Sequence, residues 1–512
     1  MVTEHDARNR WPITISIMLA TVMNSLDTTI ANVALPHMQG SVSASPEQIT
    51  WVLTSYIVSA AIMTPLSGWL ADRIGRKRMF LISIGGFTIA SMLCGIATSL
   101  PEIVLFRVLQ GVFGAALIPL SQAVLLDINP PEKHGQAMAI WGAGAILGPI
   151  LGPALGGYFT EYWSWRWCFF INLPVGILAF LGVLFFISGD RLRAAKKFDF
   201  LGFGMLTLFI ASVQMMLDRG PSQDWFHSHE IWAEAIFAGV GLWVFAIHTA
   251  TTSNPFFDRA LLADRNFVTA CVFGFFVGIL LFSTMALLPP MMQTLLGYPV
   301  LTSGLVSMPR GIGSFFAMFL VGRLIGRVDT RLILFVGLVL SCASLWQMMH
   351  FDLSMGEGPL VTSGLIQGVG IGLLFVPLSN LAFATIAPHL RPEGASVYTL
   401  IRNMGSAVGI SIMNALVVAN TQTMHGSLAA KIDPTDPVVR ATLPRMFDPA
   451  TLAGITSLNG EVTRQATMVA YVDDFRLMFV ITIACMPMLL FMRKPRRAPA
   501  GQKGGDTIHA VE

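Results

Sequence analysis

Asp27 is the one acidic residue well inside a long apolar run of this 512-residue chain, and Arg107 is a basic residue inside another. A carboxyl drawn one way by apolar surroundings and the other by a guanidinium can take up and release a proton near neutral pH. Charge at such depth is costly and is typical of proton and ion paths. The competing reading makes Asp27 a packing residue bonded to a hydroxyl on its own helix, such as Thr28. Glu102, Asp127, Asp218 and Glu234 stand only at the ends of apolar runs, and no acid occurs between Asp264 and Asp329. Arg310 and Arg402 lie inside later runs, where substrate contact and snorkelling to an interface are the two readings. Metal chemistry is not expected. The ten histidines are scattered without an HExxH or HxxxxD pair, and Cys94, Cys168, Cys271, Cys342 and Cys485 follow neither zinc nor disulfide spacing.

Composition says what must position these charges. The chain is 54% apolar and 12% charged, against roughly 25% charged in soluble domains. A span needs about 20 apolar residues. Such runs lie near 13–35, 50–70, 79–99, 103–126, 137–159, 168–188, 200–217, 231–250, 267–290, 303–322, 332–349, 360–386, 395–418 and 475–492, predicting an all-α membrane protein of fourteen spans. With both termini cytoplasmic, the cytoplasmic segments collect nearly all loop lysines and arginines, among them Arg73, Arg76, Lys77, Arg78, Arg191, Arg193, Lys196, Lys197 and Arg493 to Arg497. The short opposite loops hold only Arg166 and Arg219, so the positive-inside rule selects this orientation. The polar segment 419–474 reads as one long external loop, with 461–471 as an amphipathic helix on the membrane face.

Residues 142–157 read GAGAILGPILGPALGG. Gly144, Gly148, Gly152 and Gly156 recur every fourth position, and Pro149 and Pro153 at the same interval. Steps of four make one stripe on a helix, and the missing side chains let a neighbouring helix approach closely. In water these residues would cost about 1 kcal/mol per glycine and about 3 per proline. In a bilayer the helix survives, because its backbone has no water to turn to. The expectation is a kinked, tightly packed span that seals two halves of the molecule.

An internal repeat supports two halves. Gln110-Gly111-Val112 matches Gln367-Gly368-Val369, and Pro119-Leu120-Ser121 matches Pro377-Leu378-Ser379. Gly68 to Arg73 aligns loosely with Gly322 to Arg327. Spans 1–6 and 9–14 are then repeats, with spans 7 and 8 inserted, an organisation found in secondary transporters. Arg107 has Gly364 as its counterpart, so the repeated architecture does not itself require an arginine there.

These motifs together resemble the fourteen-span drug:proton antiporters of the major facilitator superfamily, and among them the EmrB-like exporters, over nearly the whole length. Gly68-Trp-Leu-Ala-Asp72-Arg73-Ile-Gly75-Arg76-Lys77-Arg78 is similar to the superfamily's loop signature after span 2. Arg107 with Gln110, Gly111 and Gly114 resembles its span 4 signature, and the glycine-proline run the antiporter signature of span 5. Leu26 to Pro36 and Trp165 to Gly176 resemble signatures of this branch. His134 departs from the family, which usually has arginine there. The resemblance implies a major facilitator fold of two six-helix bundles plus two inserted helices. The boundaries are a cytoplasmic N-terminus (1–12), a first bundle (13–188), inserted helices (200–250), a second bundle (267–492, including 419–474) and a basic cytoplasmic tail (493–512).

It further implies proton-coupled multidrug efflux by alternating access, without enzymatic activity or cofactor, driven by the proton gradient; no Walker-type phosphate loop is present. Asp27 and Arg107 would couple the proton. Gly68, Asp72, Arg73, Gly75, Arg76 and Asp127 would form a cytoplasmic latch, with Arg76 on Asp127. Gln122, Gln293, Arg310, Asn380 and Arg402 are candidates for the substrate cavity from depth alone, and Met and Phe suit promiscuous apolar binding. Expected partners are hydrophobic or amphipathic small molecules, membrane lipid, and a periplasmic adaptor with an outer-membrane channel; nucleic acid is not expected. The expected location is a bacterial inner membrane. A dedicated exporter of one metabolite, siderophore or lipid is the alternative, and an integral membrane enzyme a distant one.

Overall fold

The computed structural model describes residues 9–44, 46–49, 51–130, 133–188, 198–325, 327–387, 390–432, 444–448 and 451–491. The proposed tail 493–512, residues 1–8 of the N-terminal segment, and Arg191, Arg193, Lys196 and Lys197 lie outside them. Among the described residues the structure is helical, with one isolated bridge between Ile325 and Val328.

The first half comprises α1 (Arg10–Ser41), α2 (Trp51–Ile74), α3 (Arg76–Ile96), α4 (Leu100–Gly114), α5 (Leu117–Ile128), α6 (His134–Tyr162) and α7 (Asn172–Phe186). Helices α4 and α5 are one span broken at Ala115–Ala116. Pro119 has no N–H to give the Ala115 carbonyl, which accounts for the break. The inserted pair is α8 (Phe200–Arg219) and α9 (His229–Thr251). The second half comprises α10 (Arg265–Thr294), α11 (Val300–Leu324), α12 (Thr330–Met348), α13 (Glu357–Ala384), α14 (Arg391–Ala429) and α15 (Leu452–Cys485).

Packing reproduces the repeat. In the first half α1 lies on α6 and α7, and α4 on α2 and α3; in the second, α10 lies on α14 and α15, and α13 on α11 and α12. The halves meet through α6 on α11 and α2 on α14, which are equivalent contacts under the repeat. Helices α8 and α9 pack on each other, and α8 also touches α2 and α14. Asp199 ties this insert together: it caps α8 by accepting from Gly202 N at 2.9 Å, and it also meets His248 at 2.8 Å and Phe256 N at 3.0 Å.

Among the described residues, thirteen helices are long and apolar enough to cross a membrane. The fourteenth span belongs to α15, where Asp473, Asp474 and Arg476 interrupt the apolar run. The segment 419–474 is not the loop that its polarity suggested. Residues 419–429 continue α14 and 452–474 begin α15, and His425 meets Asn459 across this hairpin at 2.9 Å. The 39 residues of α14 extend about 58 Å, well beyond a hydrocarbon core of about 30 Å. The stretch 461–471 is likewise part of α15 rather than a separate helix on the membrane, and it buries Val462, Ala466, Met468 and Tyr471 in the protein.

Candidate functional site

Asp27 and Arg107 are brought together in the first half, with Asp27 0% and Arg107 1% exposed. Arg107 Nη1 donates to Asp27 Oδ2 at 2.6 Å. Gln110 Nε2 and Asn172 Nδ2 donate to Asp27 Oδ1 at 2.8 and 2.9 Å. Arg107 is held in turn by the carbonyl of Val52 (2.9 Å), by Gln110 Oε1 (2.8 Å) and by the ring of Tyr56, 4.4 Å from its Cζ. Asn172 also reaches Ser91, and Asn24 donates to the Tyr56 hydroxyl. Helices α1, α2, α3, α4 and α7 therefore converge on one carboxylate. Thr28 is not its partner, since its hydroxyl donates to the Ser25 carbonyl at 2.8 Å. An ion pair this dry persists only when its remaining hydrogen-bonding positions are filled, and Gln110 and Asn172 fill them. Both stand in the quoted motifs. Gln110 lies one turn from Arg107 on the same helix face, a spacing that could have flagged it.

The glycine stripe faces α1, within its own half. A Cβ on Gly148 would overlap the backbone of Ser25 and Leu26, and one on Gly152 would overlap Thr29. Gly144 lies on Met18, and Gly156 on Ile30. Pro149 cannot donate to the Ala145 carbonyl, and Ser25 Oγ on α1 does so instead at 2.6 Å. Thr29 likewise donates to the Gly148 carbonyl at 3.2 Å. The contact between halves comes from another face of α6, where Gly135 meets Ile325 just past α11, and Gly142 and Ile150 meet Met318 and Gly311 of α11. Sealing of the halves thus falls to that face, because close approach to α1 already occupies the stripe.

At the end of the bundle carrying the 68–78 loop, Arg76 pairs with Asp127 as the sequence suggests. Arg391, at the start of α14, reaches the same carboxylate at 3.6 Å and so joins the two halves. Ser67 Oγ and Ser396 Oγ are 3.0 Å apart across the same interface, close to Gly68 on α2. Gly75 begins α3 at φ 90°, a left-handed conformation that favours glycine. Arg73 stacks over Trp69 at 5.1 Å. Asp72 lies in the last turns of α2.

The five cavity candidates do not gather in one place. Gln122 is buried with neither amide atom bonded. Its neighbour Ser121 accepts from Trp141, Trp141 stacks on Phe375 at 5.7 Å, and Arg402 lies over Phe375 at 5.2 Å. Ser121, Trp141, Phe375 and Arg402 form a buried polar-aromatic seam between the halves. Arg310 is deep in the second half and donates to the Leu281 carbonyl at 3.1 Å. Gln293 is in the last turn of α10 and Asn380 near the end of α13. Spans 9 and 12 run in opposite directions, so these two stand at opposite ends and do not share a midplane pocket.

Two pseudo-repeated halves, the first enclosing a buried carboxylate–guanidinium pair, define a membrane transporter, and a sequence profile described as Major Facilitator Superfamily matches residues 17–410. The chain belongs to that superfamily, in its EmrB-like multidrug-exporter branch. The multidrug export protein EmrB of Escherichia coli (strain K12) is 33% identical over 500 residues, covering 96% of this chain and 97% of that one. The fatty acid resistance protein FarB of Neisseria gonorrhoeae is 33% identical over 495 residues, covering 96% and 97%. Among solved structures, the human organic anion transporter MFSD10 superposes with a TM-score of 0.60 at 15% identity, covering 92% of this chain and 99% of that one. The proton:xylose symporter XylE also gives 0.60, at 13% identity, with 94% and 97% covered. Both support the fold.

Proposed function

We propose that this transporter is a proton-driven exporter of hydrophobic and amphipathic compounds, with Asp27 as the proton carrier and no cofactor. The observation that carries the reading is the Asp27 carboxylate, fully buried and held by Arg107, Gln110 and Asn172. In this arrangement both Asp27 oxygens accept hydrogen bonds. A proton on Asp27 removes the charge that the three donors hold, and Arg107 is left without its counter-ion. Such a change is strongly unfavourable unless the surrounding helices rearrange, so proton occupancy biases one conformation over another. Five helices contribute to this network, and they transmit the bias to the first half as a body.

The Arg76–Asp127–Arg391 cluster is the latch of the conformation seen here, and its release opens that end. The lysine and arginine count assigns this end to the cytoplasm, with both termini on that side of a bacterial inner membrane. The hairpin of α14 and α15 then projects into the periplasm, where it offers a docking element for an adaptor that leads to an outer-membrane channel. The seam of Ser121, Trp141, Phe375 and Arg402 lies between the halves, where alternating access places substrate. The names of the relatives, multidrug export and fatty acid resistance, support a broad apolar and amphipathic substrate range.

The test is transport of ethidium and of a neutral amphipathic dye in proteoliposomes under an imposed pH gradient. Gradient-dependent movement that a protonophore stops is expected. Movement that ignores the gradient would refute proton drive.

A further inference from the structure

The two halves differ at one corresponding site. In the first half Gln110 donates to Asp27, 83 residues earlier; in the second, its repeat partner Gln367 donates to Thr284 at 3.1 Å, also 83 residues earlier. Thr284 therefore stands where Asp27 stands, and Gly364 where Arg107 stands. The offset that carries Gly68 onto Gly322 also carries Tyr56 onto Arg310. Packing agrees. A Cβ on Gly111 would overlap the Tyr56 carbonyl, and one on its counterpart Gly368 would overlap the Arg310 carbonyl. In the first half a tyrosine covers an arginine. In the second, an arginine replaces the tyrosine and lies over the glycine that replaces the arginine, with a Cβ on Gly364 3.6 Å from that of Arg310.

The second site has kept a cation and lost its acid. Arg310 is 9% exposed, and its one described hydrogen bond goes to the Leu281 carbonyl, one turn before Thr284 on α10. Its Nε has no hydrogen-bond partner. Helices α10 and α11 carry no acid, and α13 has only Glu357, at its first residue. A buried guanidinium with unfilled donors and no counter-ion calls for an anion. The surrounding side chains on α10 are apolar, with Leu280, Leu287 and Leu288 buried nearby.

We propose that Arg310, with Thr284 and Gln367 beside it, forms a binding site for the carboxylate of an amphipathic anion, which supplies the negative charge that Asp27 supplies in the first half. Arg310 Nε donates to the carboxylate, while the apolar body of the ligand lies against α10. The assignment rests on the reading of the chain as an exporter, and it names one substrate class for it.

The test is calorimetric titration of the full-length protein in phosphatidylcholine nanodiscs. The probes are naphthaleneacetate and naphthylmethylammonium, a cation of similar shape. The anion is expected to bind. Arg310→Gln and Thr284→Asp are each expected to weaken it by about tenfold or more, the second by giving Arg310 an internal counter-ion. Arg310→Lys is expected to retain part of the affinity, and thermal melting checks that each variant folds. Equal anion affinity in wild type and folded Thr284→Asp would overturn the proposal, as would absence of anion binding to wild type or preference for the cation. Displacement of the probe by phosphatidylglycerol in the nanodisc would assign the site to a lipid headgroup and overturn its role in substrate binding. Asp27 is unchanged throughout, so failure here is separate from failure of proton drive.

Discussion

Ser25 on α1 donates its hydroxyl to the Ala145 carbonyl on α6 at 2.6 Å, the oxygen that Pro149 leaves without a donor in its own helix. A helix-breaking residue and the residue that compensates for it thus sit on different helices. The glycine stripe brings them within reach, so the stripe and the prolines act as one device.

Substitutions along α6 should separate its two faces. Gly148→Ala places a methyl group in the backbone of Ser25 and Leu26, whereas Gly142→Ala meets chiefly the flexible end of Met318. Gly148→Ala is expected to destabilise the purified protein by several kcal/mol, and Gly142→Ala by about 1 kcal/mol or less. Ser25→Ala leaves the Ala145 carbonyl unpaired and should cost about 1–3 kcal/mol. Melting of the three variants in one detergent checks the order; Gly142→Ala as the least stable would contradict the packing.

The contact between Ser67 and Ser396 gives a direct handle on the latch. With hydroxyl oxygens 3.0 Å apart, the pair Ser67→Cys/Ser396→Cys should form a disulfide under mild oxidant. The five native cysteines are all buried, so the background is quiet. Oxidation is expected to stop dye transport and reduction to restore it, as alternating access requires this interface to part. Full transport by the oxidised protein would show that the interface stays closed throughout the cycle.

Asp474 is another buried acid, 1% exposed, with neither carboxyl oxygen bonded. Its neighbours Tyr471, Phe475 and Met478 pack in an apolar cluster with Leu345, Met348 and Phe351. Removing an unpartnered polar group from such a place is favourable. Asp474→Leu should raise stability by about 1–3 kcal/mol, read as a higher melting temperature. A large loss of stability would show that Asp474 has a partner in the folded protein.

How much of this was legible follows from what hydropathy measures. Asp27 and Arg107 stand out because a charge inside an apolar run is rare and expensive. Gln110 and Asn172 do not, because neutral polar residues are common in membrane helices and only geometry shows which of them meet. The segment 419–474 was misread because hydropathy reports contact with lipid, and a helix projecting beyond the bilayer needs none. Asp474 was lost with it, one residue outside the expected span. The glycine stripe was correctly seen as a close-packing surface, but its period of four cannot say which neighbour it faces. The repeat in Gln110 and Gln367 was visible in the chain, whereas the exchange of Tyr56 for Arg310 became meaningful only once both were seen over their glycines.

If Asp27 carries the proton, its replacement must uncouple transport from the pH gradient. Wild type and Asp27→Asn are reconstituted side by side, and ethidium movement is followed with and without an imposed pH gradient. The asparagine keeps the size of the side chain and can still accept from Gln110 and Asn172, but it cannot titrate. The expected result is a variant that folds and equilibrates ethidium down its own gradient yet fails to concentrate it against that gradient at any pH. Gradient-driven accumulation by Asp27→Asn at the wild-type rate would contradict the account and move proton coupling to another acid.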